Sequence, residues 1–236
     1  MSILPLSLDE VSFRAGDRAL LDGISLTIES GPKTVILGAN GAGKSLLLRI
    51  CHGLLGPSGG KVRWAEGTTR QYERQAMVFQ KPVMLRRSVA ANVAYGLRLR
   101  KIEAGERARR VADALRRTGL TDFADQPARL LSGGEQQRLA LARTWALEPE
   151  ILFLDEPTAN LDPGATRAVE EIVSGFHDSG AKIVMTTHDI GQARRLADEV
   201  IFLHRGRVAE RAGADRFFAQ PSTEEAAAYL RGDLLW

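Results

Sequence analysis

Residues 38–45 read GANGAGKS, and their types and spacing are those of a loop that binds phosphate groups. They match the pattern G-x-x-x-x-G-K-[ST] and lie between a short apolar run and a helix-periodic one, as such a loop requires. The glycines let successive backbone N–H groups face an anion. Lys44 has the reach for β- and γ-phosphates, and the Ser45 hydroxyl suits Mg²⁺. We expect nucleotide contacts along the whole loop: Gly38, Ala39, Asn40, Gly41, Ala42, Gly43, Lys44 and Ser45.

Two adjacent carboxylates end the segment ILFLDEP at 151–157. The apolar residues before them predict a buried strand, and open α/β sheets place their ligands at the carboxyl ends of strands. Asp155 is suited to hold Mg²⁺, directly or through water. Glu156 lies one residue further on and is a candidate general base for an attacking water. Two acids at a strand end also occur as a helix cap or a solvated turn, so the phosphate loop on the same chain favours the catalytic interpretation.

Two more polar residues end predicted strands and are expected at the same sheet edge. His188, in MTTHD, is placed to donate a hydrogen bond to a γ-phosphate. Gln80, in QAMVFQ, offers a neutral amide that can touch both the metal shell and the attacking water. Neither residue would mean much alone. The remaining histidines are predicted to be structural: His52, His177 and His204.

Residues 131–138, LSGGEQQR, predict the start of a helix. Ser132 as N-cap and Glu135 three residues later form a capping box, which alone would account for both residues. The box does not explain Gly133 and Gly134, because glycine lowers helix stability. A helix start also presents free N–H groups and a positive dipole end to an anion, so the segment is a second candidate anion site.

Composition limits the class of protein. The chain has 236 residues, of which 44% are hydrophobic and 26% charged, and this balance suits one α/β domain with a real core. No apolar run approaches the ~18 residues of a membrane helix, and the N-terminus lacks the basic segment of a signal peptide. The one cysteine, Cys51, excludes an internal disulfide and fits a reducing cytoplasm.

Apolar patterning predicts a mostly parallel sheet with a helical insertion. The first 30 residues alternate between apolar and polar positions around a polar turn, which predicts an antiparallel strand pair. The helix after the phosphate loop is predicted to end at GPSGG, residues 56–60. A helix-periodic pattern then runs from about 88 to 147. One apolar run precedes it and three follow, as in a parallel sheet covered on both faces: KTVILG, ILFLDE, KIVMTTH and EVIFLH.

Positive charge is concentrated between Arg86 and Arg117, where ten arginines and lysines accompany three acids. The chain as a whole carries only +3. One interpretation is a solvated helical surface. The other is a face near anionic lipid headgroups or an acidic partner loop. Nucleic acid is disfavoured as a partner, because no aromatic interleaving accompanies the basic residues.

These motifs resemble those of the ATP-binding subunit of an ABC transporter over nearly the whole chain. GANGAGKS resembles the Walker A loop, ILFLDE the Walker B strand and LSGGEQQR the family signature. Gln80 falls on the Q-loop, ANLD at 159–162 on the D-loop and His188 on the switch histidine. The resemblance implies an α/β P-loop NTPase (ABC ATPase) fold with a mostly parallel central sheet, an antiparallel β subdomain and an α-helical subdomain.

The same resemblance implies an organisation of the chain. A single ABC ATPase domain would fill residues 1–236. Its nucleotide-binding core would comprise residues 1–80 and 150–236, and residues 81–149 would form the helical subdomain that carries the signature.

In this family the signature of one subunit faces the ATP held by the phosphate loop of the other. That arrangement would explain two anion sites in one chain, because ATP would bridge two copies packed head to tail. Ser132, Gly133 and Gly134 would bind the partner's ATP, and Asp162 would couple the two sites. Glu156 would polarise the water that converts ATP to ADP and phosphate. The resemblance assigns Lys44, Glu156 and His188 to catalysis, and Ser45, Gln80 and Asp155 to Mg²⁺.

One position departs from the family pattern. The family usually has an aromatic residue in the early strand that stacks on adenine, and the corresponding position here is Ala15, in FRAGDR. Phe13 lies two residues back on the same predicted strand face and is a candidate substitute. A core aromatic is the equal alternative for Phe13. Weak base stacking would loosen discrimination between ATP and GTP.

Among ABC proteins, the stretch VFQKPVMLRRSVAANVAYGLRLRK resembles ATPases of bacterial uptake systems, most of all those for oxyanions such as tungstate, molybdate or phosphate. The resemblance implies integral-membrane permease partners, a periplasmic or extracellular solute-binding protein as an indirect partner, and a peripheral location on the cytoplasmic face of the cell membrane. The rival class is a soluble ABC ATPase that acts on ribosomes or DNA, for which a second ATPase domain or a long coiled-coil insert would be expected. A module that binds nucleotide without hydrolysis is disfavoured by Glu156 and His188.

Overall fold

The computed structural model describes residues 2–65 and 71–233, and in this part of the chain nine strands form two sheets with eight helices packed around them. The strands are β1 (Leu6–Ala15), β2 (Arg18–Ile28), β3 (Thr34–Leu37), β4 (Gly59–Arg63), β5 (Gln75–Val78), β6 (Ile151–Asp155), β7 (Lys182–Thr187), β8 (Glu199–His204) and β9 (Arg207–Gly213). The helices are α1 (Lys44–His52), α2 (Val89–Leu99), α3 (Ala104–Arg117), α4 (Gly133–Trp145), α5 (Pro163–Asp178), α6 (Ile190–Leu196), α7 (Ala214–Ala219) and α8 (Glu224–Arg231). None of the described helices combines the length and apolar character needed to cross a membrane.

The larger sheet has the strand order β5-β6-β7-β3-β8-β9. Its first five strands run parallel, and β9 lies antiparallel to β8 at one edge. Every residue of β3, β6 and β7 is buried, as the near-continuous apolar runs predict for strands covered on both faces. The carboxyl ends of the parallel strands meet at one edge, where Gln80, Glu156 and His188 follow β5, β6 and β7.

The smaller sheet is antiparallel, with the order β2-β1-β4, and it confirms the predicted strand pair. Its β1–β2 ladder is irregular. The register shifts three times, and the last shift falls between Phe13 and Arg14. Glu10 has a left-handed backbone, with φ of 51°, near the first shift, as expected at a β-bulge. The extra residue lies on β1 at the first shift and on β2 at the other two.

Alternate residues of the buried strands face opposite sides of the large sheet. In β6, Leu152 and Leu154 join a cluster that continues into α2, α3, α4 and α5. Ile151 and Phe153 join a second cluster, which is completed by α1 and the smaller sheet. The helical residues between 81 and 149 thus share one continuous core with a face of the large sheet.

The basic segment lies largely on α2 and α3, and much of its charge on α3 is paired. Arg109 and Arg110 contact Glu106, three and four residues before them. Arg116 and Arg117 pair with Asp113 at the same spacings. Such pairs stabilise a helix by about 0.2–0.5 kcal/mol each. This arrangement favours the solvated-surface interpretation of the basic segment.

Two elements differ from the sequence predictions. Helix α1 ends at His52, ahead of GPSGG, because Gly53 takes a left-handed conformation and its N–H bonds the carbonyls of the last turn. Strand β9 was not predicted. It returns from β8 through a two-residue turn at Arg205 and Gly206, which both have positive φ, as a type I′ hairpin turn requires.

Candidate active site

A cleft of about 1010 Å³ opens at the carboxyl edge of the large sheet. The phosphate-binding loop forms one wall, and Gln80, Glu156 and His188 reach it from the ends of three parallel strands. The sheet topology brings these residues together from positions more than a hundred apart in sequence. The loop residues that line the cleft are Asn40, Gly41, Gly43, Lys44 and Ser45.

The loop conformation depends on two glycines that pack closely on neighbouring residues. A Cβ on Gly38 would lie 2.2 Å from the carbonyl oxygen of Leu203. Gly43 has φ of 103°, and a Cβ there would lie 2.7 Å from the Leu21 side chain. Gly43 is also the N-cap of α1 and makes no side-chain cap. The first N–H groups of α1 therefore remain available to an anion.

Some predicted contact residues form the base of the loop instead. Gly38, Ala39 and Ala42 do not line the cleft. The Ala42 N–H donates to the Ala39 carbonyl at 3.2 Å, and the Ala42 carbonyl accepts from Gly206 at 3.1 Å. These bonds hold the loop against the turn between β8 and β9. The three residues therefore support the loop on the side away from the cleft.

Lys44 is nearly buried, and its ammonium group turns back over the loop. Its Nζ donates to the carbonyls of Gly38 and Ala39 at 2.9 and 3.2 Å. It also lies 3.3 Å from Oε1 of Glu156. A lysine held this way places a positive charge in the wall of the cleft.

Asp155 and Ser45 meet at the floor of the cleft. The Ser45 hydroxyl donates to Oδ1 of Asp155 at 2.6 Å, and Thr186 donates to the same oxygen at 2.9 Å. Asp155 is only 3% exposed, and Arg49 lies 3.8 Å from its other oxygen. A hydroxyl and a buried carboxylate are both hard oxygen ligands, the kind that Mg²⁺ prefers. Water and substrate phosphates usually complete the coordination shell of this ion.

Among the described residues, no group of three or more His, Cys, Asp or Glu is arranged to hold a metal ion. The two oxygen donors that the structure does bring together here are Ser45 and Asp155. Thr186 was not predicted, because nothing in a single strand marks which neighbour its hydroxyl will reach.

Glu156 is the point where the other polar residues of the cleft converge. His188 Nδ1 lies 3.1 Å from Oε2 of Glu156, and Gln80 Nε2 donates to the same oxygen at 3.4 Å. The Glu156 N–H bonds Thr186, and its backbone is left-handed, with φ of 44°. Residues in sparsely populated backbone regions cluster at functional sites. The geometry gives Glu156 a fixed position with one face toward the cleft.

The segment that begins α4 does not line this cleft. Ser132 is the N-cap, and its hydroxyl and N–H form the predicted capping box with Glu135. The hydrogen bonds from the Ser132 backbone and side chain hold the pKa of Glu135 below its usual value. Ser132 and Gly133 are exposed, so this helix start is open to solvent outside the cleft of its own phosphate loop.

Gly134 has an intrachain reason to be glycine. A Cβ there would lie 2.7 Å from Cβ of Ala165, in the first turn of α5. At Gly133 the nearest neighbour, the Leu161 side chain, is 4.0 Å away. The missing side chain of Gly134 is therefore used for helix packing, and only Gly133 leaves space for an approaching group.

Asp162 caps the start of α5, where its Oδ1 accepts from the Ala165 N–H at 2.9 Å. It does not line the cleft, although Asn160 and Leu161 before it do. The D-loop thus runs from the cleft wall to the helix that packs on Gly134.

The placement of Phe13 does not support an adenine platform. Phe13 packs against the second core cluster and is not among the residues that line the cleft. Stacking of Phe13 on adenine stays a prediction, and its packing favours the alternative of a core aromatic. Arg18 and Leu20, at the start of β2, line that part of the cleft instead.

Comparison with known proteins places these motifs in a family. A family model described as "ABC transporter" matches residues 21–159. The "Tungstate uptake system ATP-binding protein TupC" of Peptoclostridium acidaminophilum is 43% identical over 205 residues, which cover 86% of this chain and 94% of that protein. The "Phosphate import ATP-binding protein PstB 2" of Natronomonas pharaonis is 36% identical over 250 residues, which cover 98% and 88%. Relatives named for methionine and Fe(3+) import are 35% and 34% identical.

A solved structure gives the same result for the fold. The protein described as "cbiO1 from clostridium perfringens", part of "the ABC transporter complex cbiONQ", superposes with a TM-score of 0.82. It is 32% identical, and the match covers 96% of this chain and 94% of that one. The predicted fold class is confirmed.

Proposed function

Because the chain belongs to the ABC transporter family and is one of its ATP-hydrolysing subunits, we propose that two copies bind ATP between them and power the import of a small oxyanion, such as tungstate. The solute would pass through a separate membrane permease. The nucleotide would be bound by the cleft of one copy and by the start of α4 of the other.

The separation of two anion-binding features on one chain carries the dimer proposal. Lys44 faces the cleft, whereas Ser132 and Gly133 lie outside it with exposed backbone. A helix start has free N–H donors and a positive dipole end that favour a phosphate. A head-to-tail partner is the arrangement in which each helix start meets a phosphate loop. The nucleotide then holds the two copies together.

In the proposed reaction, Lys44 and the α1 N–H groups bind the phosphates. Glu156 accepts a proton from a water, whose oxygen attacks the γ-phosphorus as the bond to the β–γ bridging oxygen breaks. Gln80 and His188 touch the Glu156 carboxylate and fix its orientation. In the tautomer that carries its proton on Nδ1, His188 donates to Oε2 of the ionised Glu156 carboxylate. A further donation from Nε2 to the γ-phosphate would require the second ring proton as well.

Mg²⁺ would be held by Ser45 and Asp155, with Gln80 near its shell. When bound, the ion neutralises charge on the β- and γ-phosphate oxygens. The protein's own part is to keep the Asp155 carboxylate buried and aligned, which the hydroxyl donors of Ser45 and Thr186 do.

The surface near Gln80 supports a permease partner. Tyr72, Phe79 and Val83 are exposed by 66%, 40% and 75%, although each is a large apolar side chain. Where exposed apolar side chains form one contiguous patch, they mark a protein contact surface, and the proposal expects these three to form such a patch. They lie close to Gln80 in sequence, so a permease seated there would be linked to the Glu156 contact.

The assignment of an oxyanion rests on the relatives named for tungstate and phosphate import. Solute contacts are expected in the other subunits, so the test is transport itself. We expect the chain, co-expressed with its permease and binding protein, to drive tungstate, molybdate or phosphate uptake into cells. Uptake of methionine or iron with no oxyanion uptake would overturn the solute assignment and leave the importer intact. A tagged chain that recovers ribosomes or DNA and no permease would favour the rival class.

The Glu156→Gln variant tests the catalytic and dimer proposals together. Loss of the base should lower ATP hydrolysis by about a hundredfold or more. Because the ATP proposed to lie between the two copies is then not hydrolysed, the variant with Mg-ATP should migrate as a dimer in size-exclusion chromatography with light scattering. Glu171→Gln is the matched control, since Glu171 is exposed on α5 and its ion pair with Arg167 lies on the helix surface. An unchanged hydrolysis rate would remove Glu156 as the base, and a monomer at high concentration with the permease present would refute the dimer.

A further inference from the structure

Helix α8 reaches the active site through one hydrogen bond. The Tyr229 hydroxyl donates to the backbone carbonyl of His188 at 2.8 Å. His188 lies in the turn between β7 and α6, outside both elements. Its ring is half exposed and contacts Glu156 through Nδ1 at 3.1 Å. The Tyr229 bond therefore acts on the same residue that orients the proposed base.

The Tyr229 ring is fixed by packing. Its centroid lies 5.2 Å from that of Phe202, which is fully buried in β8 and also packs on Phe217. Burial, followed by the negative charges of Glu156 and Asp189, raises the pKa of Tyr229 to about 12. The hydroxyl therefore stays protonated and keeps donating at any physiological pH.

Helix α8 is itself anchored to the large sheet at its start. Thr223 caps the helix by accepting from Ala226 at 3.2 Å. The N–H groups of Ser222 and Thr223 both donate to the buried carboxylate of Glu210, in β9. The tyrosine thus projects from a helix that is bonded at one end to the sheet edge and packed along its side on β8.

We propose that Tyr229 is a positioning residue for ATP hydrolysis, which holds the His188 turn so that the imidazole keeps its contact with Glu156. This inference rests on the proposed function of Glu156 and His188. Tyr229 touches no reacting atom and acts through the His188 backbone. It makes the last helix of the described chain a determinant of the hydrolysis rate.

Tyr229→Phe tests the inference, because it keeps the ring on Phe202 and removes only the donor. We expect kcat for ATP hydrolysis to fall about three- to tenfold, the effect of losing one hydrogen bond, with KM for ATP unchanged. Tyr95→Phe is the matched control. Tyr95 is half-buried on α2, contacts Arg87 and lies far from His188 in sequence. Loss of its hydroxyl should leave kcat unaltered.

A double-mutant cycle separates positioning from general destabilisation. In a His188→Ala background the Tyr229→Phe change should have no further effect on kcat, because the residue it acts through is gone. A wild-type kcat in Tyr229→Phe, or an equal fall in both backgrounds, would overturn the inference. Glu156→Gln measured in parallel keeps the two proposals distinct, since its loss of hydrolysis supports the proposed function whatever Tyr229→Phe does.

Discussion

The Nζ atom of Lys44 lies 3.3 Å from Oε1 of Glu156, so the residue proposed to bind phosphate and the residue proposed to accept a proton are in direct contact. A γ-phosphate bound in the loop would compete with Glu156 for this ammonium group. If Lys44 turned to the phosphate, Glu156 would still contact Gln80 and His188. Nucleotide binding and proton transfer would then be coupled through one side chain.

This relationship predicts the behaviour of Lys44→Met. The variant loses charge-assisted bonds worth about 1.5–3 kcal/mol to the phosphates, so its affinity for ATP should fall at least tenfold. Isothermal titration calorimetry with Mg-ATP measures the change. Lys61→Met, on the exposed strand β4, is the control and should bind as the parent does. An unchanged affinity in Lys44→Met would mean that the loop does not hold the phosphates through this lysine.

The early strand gives a prediction about the base. Ala15→Tyr restores an aromatic residue at the family position, and stacking worth about 0.5–1.5 kcal/mol should improve ATP affinity by roughly threefold to tenfold. The gain should show in KM, with less effect on kcat.

Phe13→Ala is the companion variant and should leave nucleotide affinity unaltered. It should instead lower the free energy of unfolding by about 1–2 kcal/mol, less than the 3–5 kcal/mol of a fully buried phenylalanine, because Phe13 is only partly buried in the second cluster. Urea unfolding measures this. A loss of ATP affinity in Phe13→Ala with normal stability would restore Phe13 as a base contact.

The two signature glycines should respond differently to alanine. Gly134→Ala places a methyl group 2.7 Å from Ala165 and should destabilise the fold by about 1–3 kcal/mol. In Gly133→Ala the nearest atom to the new methyl group is 4.0 Å away, so this variant should have the same melting temperature as the parent protein. If a partner's phosphate approaches this turn, the Gly133 variant should still lose hydrolysis. A fully active Gly133→Ala would argue against the turn as half of the site.

Tyr229 gives a prediction at high pH. The pKa of its phenol is raised from 10.0 to about 12 in the folded chain. Between these values the unfolded chain has lost the proton that the native chain keeps, so stability falls as pH rises. The contribution is fully present below pH 10 and is lost as pH passes 12. The wild-type minus Tyr229→Phe difference in phenolate absorbance should have its midpoint near 12. A midpoint near 10 would show that the hydroxyl is not buried.

The parts of the fold that follow from local chemistry were predictable from sequence. The apolar runs marked the buried strands, and the phosphate loop marked a strand–loop–helix unit, because both patterns are set within a few residues. Strand β9 was missed because its sequence, RVAERAG, is polar and its pairing depends on the turn at Arg205 and Gly206. The arginine–glycine pair was the available signal for that hairpin.

The site shows the same limit. Motif residues at strand ends meet because parallel strands end at a common edge, and this followed from the sequence. Thr186 and Tyr229 were missed because their roles depend on which strand or helix lies beside them. The packing of Phe13 against the second core cluster depends on residues distant in sequence, which no alternation pattern reveals. The reason for Gly134 lay in Ala165, thirty-one positions later along the chain.

Helices α4 and α5 pack against each other at both ends. Gly134 lies against Ala165 at their first turns. The ring centroids of Trp145 and Phe176 lie 4.2 Å apart near their last turns. These two contacts couple the positions of α4 and α5. In the proposed dimer, the double-glycine turn and the D-loop would therefore shift together relative to the second copy. Their contacts with that copy would be made and broken together.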